Sequence, residues 1–141
     1  MTQSVAIDIA APPDRVWAVL SDVDHWPEWT PTVTSVIRSD DAPLHVGTHA
    51  KVAQPRLADA DYAVTELDPG HSFTWVATHP GLATTARHEV DPLPDGGTHV
   101  TLSITQSGLL GPLMGRVYRG LTDRYLHNEA NGLKARCEAA A

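Results

Sequence analysis

The residue best suited to acid–base chemistry is His88, because its neighbours in the sequence predict that it is buried. In segment 84–90, Ala86 and His88 alternate with the charged Arg87 and Glu89. Alternate residues of a strand face opposite sides, and the charged side belongs in solvent. We therefore expect His88 to face the interior, with a pKa below about 6.5 unless an acidic group pairs with it. Such a neutral imidazole can act as a general base or acid near pH 7; the alternative is a hydrogen-bonded packing residue.

Two further kinds of polar residue extend this chemistry. In segment 98–106 the alternation places Gln106 on the same side as the apolar residues. Tyr118 and Tyr125 are seven residues apart, so they share one face of a helix, where their hydroxyls can orient a carbonyl group or a phenol. An enzyme built on these groups would use His88, Tyr118 and Gln106 as acid–base and carbonyl-orienting residues. The alternative for the tyrosines is packing at the edge of the sheet.

No metal or cofactor chemistry is predicted. The chain has 8 histidines, but His45 and His49 lie in a turn-to-strand passage rather than on one face of a helix. His79 and His88 could approach His99 across neighbouring strands, yet His99 falls on the outward side of its own strand. The sequence also lacks a glycine-rich phosphate loop, a G-x-S-x-G motif and a Cys–His nucleophile arrangement. We therefore expect no metal ion and no cofactor.

A series of strands must position these residues. Apolar–polar alternation predicts a strand over 4–10, and short helices over 14–20 and 23–29 follow Pro12 and Pro13. Further strands are then predicted between turn residues, over 32–38, 48–54, 61–67, 72–78, 84–90 and 98–106. Turns at this spacing, with no helical pattern between them, indicate an antiparallel meander.

One long amphipathic helix of about 26 residues is predicted over 111–137. Its apolar spacing predicts that Leu113, Val117, Leu121 and Tyr125 are buried against the concave face of the sheet. The opposite face carries the charged residues Arg116, Arg119, Asp123, Arg124, Glu129 and Lys134. One long helix after a series of strands implies that the strands curl around it.

Composition limits the class of protein and its partners. A chain of 141 residues is close to the usual size of one domain, so we expect a single domain over 1–141. Its formal net charge of -7 makes nucleic acids and anionic membranes poor partners. No apolar run is long enough for a membrane span, and no signal-peptide pattern is present. With a single cysteine, which fits a reducing compartment, the sequence predicts a cytoplasmic protein.

Several motifs resemble a known family. The segment IAAPPDRVW at 9–17, followed by WPEW at 26–29, is similar to the N-terminal signature of the START-like (Bet v1-like, SRPBCC) superfamily. More narrowly, it resembles the polyketide cyclase/dehydrase and lipid-transport branch. The segments VTELDPG at 64–70, FTW at 73–75 and GGTHV at 96–100 are similar to the middle of that branch. The resemblance covers essentially the whole chain.

The resemblance implies an α+β helix-grip fold. In that fold a seven-stranded antiparallel sheet wraps a long C-terminal helix, two short helices follow the first strand, and an apolar cavity lies between sheet and helix. The residues that we expect to bind a ligand there are Trp29, Gln54, Phe73, Trp75, His88, Leu102, Gln106, Tyr118, Leu121 and Tyr125. Core filling is the alternative role for Phe73 and Trp75, and packing under a loop is the alternative for Trp29.

Three functions are compatible with such a cavity. The first is binding of a small hydrophobic molecule, a lipid or an aromatic polyketide-like compound. The second is an aromatase/cyclase-type enzyme that promotes aldol cyclisation or dehydration. The third is a protein-interaction module. An apolar cavity would favour the first, a polar cluster deep in the cavity the second, and a filled cavity with an exposed apolar patch the third. No oligomeric state is predicted.

Overall fold

The computed structural model describes residues 2–139, which form the predicted α+β helix-grip fold. The strands are β1 (Thr2–Ile9), β2 (Ser35–Arg38), β3 (His49–Ala53), β4 (Ala60–Asp68), β5 (Ser72–His79), β6 (Leu82–Pro92) and β7 (Thr98–Ser107). The helices are α1 (Pro13–Ser21), a 3-10 helix (Val23–Glu28), α2 (Gly111–Val117) and α3 (Arg119–Ala139). None of these helices is long and apolar enough to cross a membrane.

All seven strands form one antiparallel sheet in the order β1-β7-β6-β5-β4-β3-β2. Strands β2 to β6 each pair with the next strand along the chain, which is the predicted meander. Strand β1 pairs instead with β7, so that Val5 lies opposite Leu102. On β4 the register shifts between Val64 and Glu66, which leaves one extra residue, Thr65, on that strand. A bulge of this kind bends the strand and increases its twist, and so contributes to the curvature of the sheet.

The core lies between the concave face of the sheet, α1 and α3. Alternate residues of the central strands, such as Phe73 on β5 and Val100 on β7, are fully buried. Leu20 of α1 and Leu133 of α3 are fully buried against them. The apolar residues that alternate along these strands are therefore the ones that are buried, as the sequence predicts.

The C-terminal helix differs from the prediction of one continuous helix, because it is interrupted at Tyr118. The backbone of Tyr118 leaves the helical region, with φ -97° and ψ 10°. The hydrogen bonds nevertheless continue across it, since Tyr118 N–H donates to Met114 C=O (2.9 Å) and Thr122 N–H donates to Tyr118 C=O (2.8 Å). Gly115 and Gly120 flank the interruption and lower the helical propensity there. The result is a short α2 joined to α3 by a bend.

The predicted buried face of this helix is also wrong. Leu113 is 54% exposed and Val117 is 61% exposed, while Leu121 and Tyr125 are half-buried. The buried stripe lies on α3 alone and consists of Leu126, Ala130, Leu133 and Cys137. Two apolar stripes of helical spacing occur in this segment, and the long helix packs through the later one.

Candidate functional site

A cavity of about 290 Å³ lies between the concave face of the sheet and the C-terminal helices. Its wall is formed by the 3-10 helix, strands β3 to β7, the loop between β3 and β4, and the facing sides of α2 and α3. Its volume is near the lower end of the roughly 300–1,000 Å³ that is usual for small-molecule sites. The cavity therefore suits a compact ligand.

One side of the cavity is aromatic. The ring of Trp75 on β5 lies 5.3 Å from that of Trp26, and it stacks on Tyr62 of β4 at 5.0 Å with an interplanar angle of 27°. All three side chains are buried and border the cavity. The indole N–H of Trp26 donates to the carbonyl of Leu20 (2.9 Å), which fixes the ring in place. The aromatic wall is therefore held by its own packing before any ligand binds.

His88 borders the cavity from β6, as the strand alternation predicts, and is only 5% exposed. Its ring stacks on Phe73 at 4.1 Å, and its Nδ1 lies 3.2 Å from the Phe73 carbonyl oxygen. A carbonyl can only accept, so Nδ1 carries the proton and Nε2 is the acceptor nitrogen. Burial lowers the pKa of His88 to about 4, and the hydrogen bond to Phe73 opposes this shift only in part. The imidazole is therefore neutral at pH 7.

A second titratable group in the wall is Glu129 of α3, so the prediction that it lies on the exposed face of the helix is wrong. The side chain is half-buried and borders the cavity. Burial raises the pKa of Glu129 to about 7, and a hydrogen bond from Thr32 opposes the shift. A carboxyl with such a pKa exchanges its proton near neutrality.

The sequence did contain a signal for Glu129. It lies four residues after Tyr125 and seven after Thr122, so it shares their helix face. Both of those residues also border the cavity. Asn128, the residue before Glu129, is exposed and does not share this face.

Thr32, which lowers the pKa of Glu129 through a hydrogen bond, belongs to a buried pair with Thr30. The hydroxyl oxygens of Thr30 and Thr32 are 2.8 Å apart, and either can be the donor; Thr32 N–H also donates to Thr30 Oγ1 (3.3 Å). The neighbours of the Glu129 carboxyl on this side are therefore neutral hydroxyl groups.

The loop between β3 and β4 closes another side of the cavity through Gln54 and Leu57. The hydroxyl of Tyr125 donates to the carbonyl of Pro55, which ties this loop to α3. On the opposite side, the Thr84 hydroxyl donates to Gln106 Oε1 (2.8 Å). Both contacts hold parts of the cavity wall in place.

The structure brings seven of the ten expected ligand-binding residues to the cavity wall. They are Gln54, Trp75, His88, Leu102, Gln106, Tyr118 and Tyr125. Their roles in binding or catalysis stay predictions. Trp26, Tyr62 and Glu129 belong to the same wall but were not among the ten residues expected to bind a ligand.

Three expected ligand-binding residues do not border the cavity. Phe73 is fully buried, and its ring is enclosed between His88 and Trp17. Trp29 packs against Trp26 and α3 rather than over the cavity mouth. Leu121 is half-buried on a flank of α3, next to the face that Thr122 and Tyr125 present to the cavity.

Residues 2–139 form no group of three or more His, Cys, Asp or Glu side chains that could hold a metal ion. His99 illustrates where the histidines lie. It faces outward from β7, and its Nδ1 is 2.6 Å from a carboxylate oxygen of Asp8 on β1. Several other histidines make similar surface pairs with aspartates, such as His71 with Asp91.

The sequence profile of one protein family matches residues 2–138 of this chain. That family is described as polyketide cyclase/dehydrase and lipid transport. A comparison with curated proteins gave no significant match.

Several solved structures share the fold. A START superfamily protein from Mycobacterium smegmatis is 18% identical, with a TM-score of 0.75 and coverage of 99% of each chain. The Zhui aromatase/cyclase from Streptomyces sp. R1128 is 15% identical, with a TM-score of 0.79 and coverage of 98% of this chain and 93% of its own. A protein from Thermobifida fusca is 19% identical, with a TM-score of 0.79 and coverage of 96% and 91%. At these identities the similarity concerns the fold.

Proposed function

This chain belongs to the polyketide cyclase/dehydrase and lipid-transport family, and from that membership we propose that it binds a small hydrophobic molecule. The observation that carries the proposal is the cavity of about 290 Å³ between the sheet and the C-terminal helices. An apolar, enclosed space with a few convergent polar groups is the usual form of a small-molecule site. Burial of apolar ligand surface there would supply most of the binding free energy.

The polar groups of the wall favour a ligand with one polar end. Trp26, Tyr62 and Trp75 form a continuous aromatic surface, and the carboxyl of Glu129 lies at the same cavity. A ligand that lays its apolar part on the rings can direct its polar group toward the carboxyl. The limited volume favours a compact molecule over a long acyl chain.

Titration with Nile red, a neutral apolar dye, tests this proposal. We expect saturable fluorescence enhancement, which Thr122→Phe should abolish by filling the cavity from α3. Asn131→Phe is the matched control, because it adds the same ring to an exposed position of the same helix. Equal dye binding by the wild type and both variants would contradict a cavity site. Native mass spectrometry of the purified protein then identifies any molecule that it retains.

A second candidate function is acid–base catalysis in the same cavity. The observation that favours it is the presence of two titratable side chains with strongly shifted pKa values, His88 at about 4 and Glu129 at about 7. Catalytic groups work best when their pKa lies near the operating pH. By that criterion Glu129 is the better base, and His88 would act through the acceptor nitrogen Nε2 as an orienting group.

Turnover of a poly-β-ketone substrate by the wild type, His88→Gln and Glu129→Gln tests catalysis. A positioned base contributes on the order of 10²–10⁴-fold in rate, so Glu129→Gln should lose that factor while the variant still binds Nile red. Tyr118 and Gln106 are the residues that we propose to orient a carbonyl group. If no turnover is detected with the wild type, the carrier function remains.

The third function, a protein-interaction module, was expected to go with a filled cavity. The cavity between the sheet and α3 is not filled by side chains. An unfilled cavity argues against this third function.

A further inference from the structure

The carboxyl of Glu129 is an acidic group at an apolar cavity with no cation to balance it. A hydrogen bond from Thr32 favours its ionised form, and no Lys, Arg or His of residues 2–139 forms an ion pair with it. A charge that leaves water without a partner is costly, and buried charges in proteins are normally paired. A cationic ligand would therefore stabilise the ionised form of this carboxyl.

The aromatic wall is suited to the same kind of group. Trp75 contacts both Trp26 and Tyr62, with ring centroids 5.3 Å and 5.0 Å away. The faces of such rings are negative, and they attract an ammonium group within about 6 Å, with Trp the strongest. A carboxylate beside tryptophan and tyrosine rings combines the two interactions that stabilise an organic cation.

The hydrogen-bonding groups of the wall point to a ligand that donates. Three donors are already used within the protein, since Trp26 N–H donates to Leu20, Tyr125 O–H to Pro55, and Thr84 O–H to Gln106. Among the other groups of the wall, His88 Nε2 and the ionised Glu129 carboxyl can only accept, while the hydroxyls of Tyr62, Tyr118 and Thr122 can donate or accept. An ammonium group has only donors, so it can satisfy both of these acceptors, which a carbonyl or a carboxylate cannot do.

We infer that the cavity binds a compact hydrophobic amine, with its ammonium group paired to Glu129 and its apolar part against Trp26, Tyr62 and Trp75. This inference rests on the proposed binding function and names its ligand class. The aromatic rings contribute apolar surface to any hydrophobic ligand. The carboxylate distinguishes a cation from a neutral molecule of the same shape.

The ionisation of Glu129 determines how amine binding depends on pH. Burial raises the pKa of Glu129 to about 7, and an ammonium group nearby would favour the ionised form. The other titratable or charged residues of the wall are Tyr62, His79, Arg87, His88, Tyr118 and Tyr125. His88 is neutral above about pH 5, and Arg87 pairs with Glu66 and Glu89. Amine affinity should therefore rise from pH 5 to pH 8.

Calorimetric titration with 4-phenylbutylamine and 4-phenylbutan-1-ol tests the inference, because the two probes differ only in the amine and hydroxyl groups. At pH 8 the wild type should bind the amine at least about tenfold more tightly than the alcohol. Glu129→Gln should reduce this preference to below about twofold. Asp123→Asn, an exposed carboxylate on the same helix, is the control for net charge.

The wild type alone provides a second measurement if Glu129→Gln does not fold. The preference of the wild type for the amine should fall at least about fivefold between pH 8 and pH 5. His79→Gln should show the same fall; it controls for the second histidine of the wall, since His88 is neutral over most of this range. Equal affinity for amine and alcohol at pH 8, or a preference that does not change with pH, overturns the inference.

Nile red binding separates this inference from the proposed function. If the wild type binds the dye and the alcohol but shows no preference for the amine, only the ligand class is wrong. If dye, alcohol and amine all fail to bind, both the cavity site and its ligand class are wrong.

Discussion

Phe73 contacts the His88 imidazole both with its ring and with its backbone carbonyl. The two residues are direct partners across β5 and β6, and their rings stack at 4.1 Å with an interplanar angle of 12°. In addition, Nδ1–H of His88 donates to the carbonyl of Phe73 (3.2 Å). The backbone of one strand therefore sets the tautomer of a side chain on the next, and the stacked ring restricts its rotation.

The first prediction concerns the protonation of His88. Its pKa is lowered to about 4 by burial, so NMR titration of the imidazole should show the neutral Nδ1–H tautomer throughout pH 5–8. Because the folded pKa lies below the unfolded value of about 6.5, this group contributes stability above pH 6.5 that is lost as the pH falls toward 4. A measured pKa at or above 6.5 would contradict a buried imidazole that has no acidic partner.

The second prediction concerns Glu129 and the free energy of unfolding. Its folded pKa of about 7 lies above the unfolded value, so its contribution to stability is complete below about pH 4.5 and is lost as the pH rises through 7. Glu129→Gln should therefore be more stable than the wild type at pH 8, by roughly 1–3 kcal/mol, with little difference at pH 4.5. Urea denaturation at both pH values measures this.

The comparison for that prediction is Asp123→Asn, which removes an exposed carboxylate from the same helix. Its effect should be under about 0.5 kcal/mol at either pH. A Glu129→Gln variant that loses stability at pH 8 would show that the ionised carboxylate has a favourable partner in the folded protein.

The third prediction concerns which residues of the C-terminal helices pack against the sheet. Leu133 is fully buried, whereas Leu113 is 54% exposed. Leu133→Ala should cost about 2–5 kcal/mol of unfolding free energy, and Leu113→Ala under about 1 kcal/mol. Thermal and urea unfolding of the pair measure the difference, and equal losses would argue against packing through α3 alone.

The fourth prediction concerns two glycines of α3. A Cβ at Gly132 would overlap the carbonyl oxygen of Trp29, while a Cβ at Gly120 would meet nothing. Gly120→Ala should therefore gain up to about 1 kcal/mol from helical propensity. Gly132→Ala should instead lose about 1–3 kcal/mol, because the helix must move away from Trp29. If both variants gain stability, the close approach of Trp29 to α3 is wrong.

Strand positions were the most predictable part of this molecule. The side-chain period of a strand is two, so the charges at Arg87 and Glu89 were enough to orient His88 inward. The same rule correctly oriented Val100 and Leu102 on β7. An assignment shifted by one residue would have pointed the apolar side chains of either strand into solvent.

Helix orientation was harder to predict, because the C-terminal segment carries apolar residues on more than one side. Leu113 and Val117 repeat at helical spacing as regularly as Leu133 and Cys137, and only the sheet decides which stripe is buried. Glu129 was missed for a related reason, since charged residues are assigned to solvent by default. At a ligand cavity a charged side chain can instead be partly buried, so this assignment is wrong there.

The pairing of β1 with β7 and α3 also has a consequence for the order of folding. Ala10 N–H donates to the carboxylate of Glu138 across 128 residues of chain (2.8 Å), and the Lys134 ammonium donates to the carbonyl of Asp8 (3.0 Å). The meander from β2 to β7 can assemble by local steps, whereas these closures require distant segments to meet. In a chain growing on the ribosome, the part of the concave apolar face that α3 covers therefore stays uncovered until the residues of α3 have been synthesised.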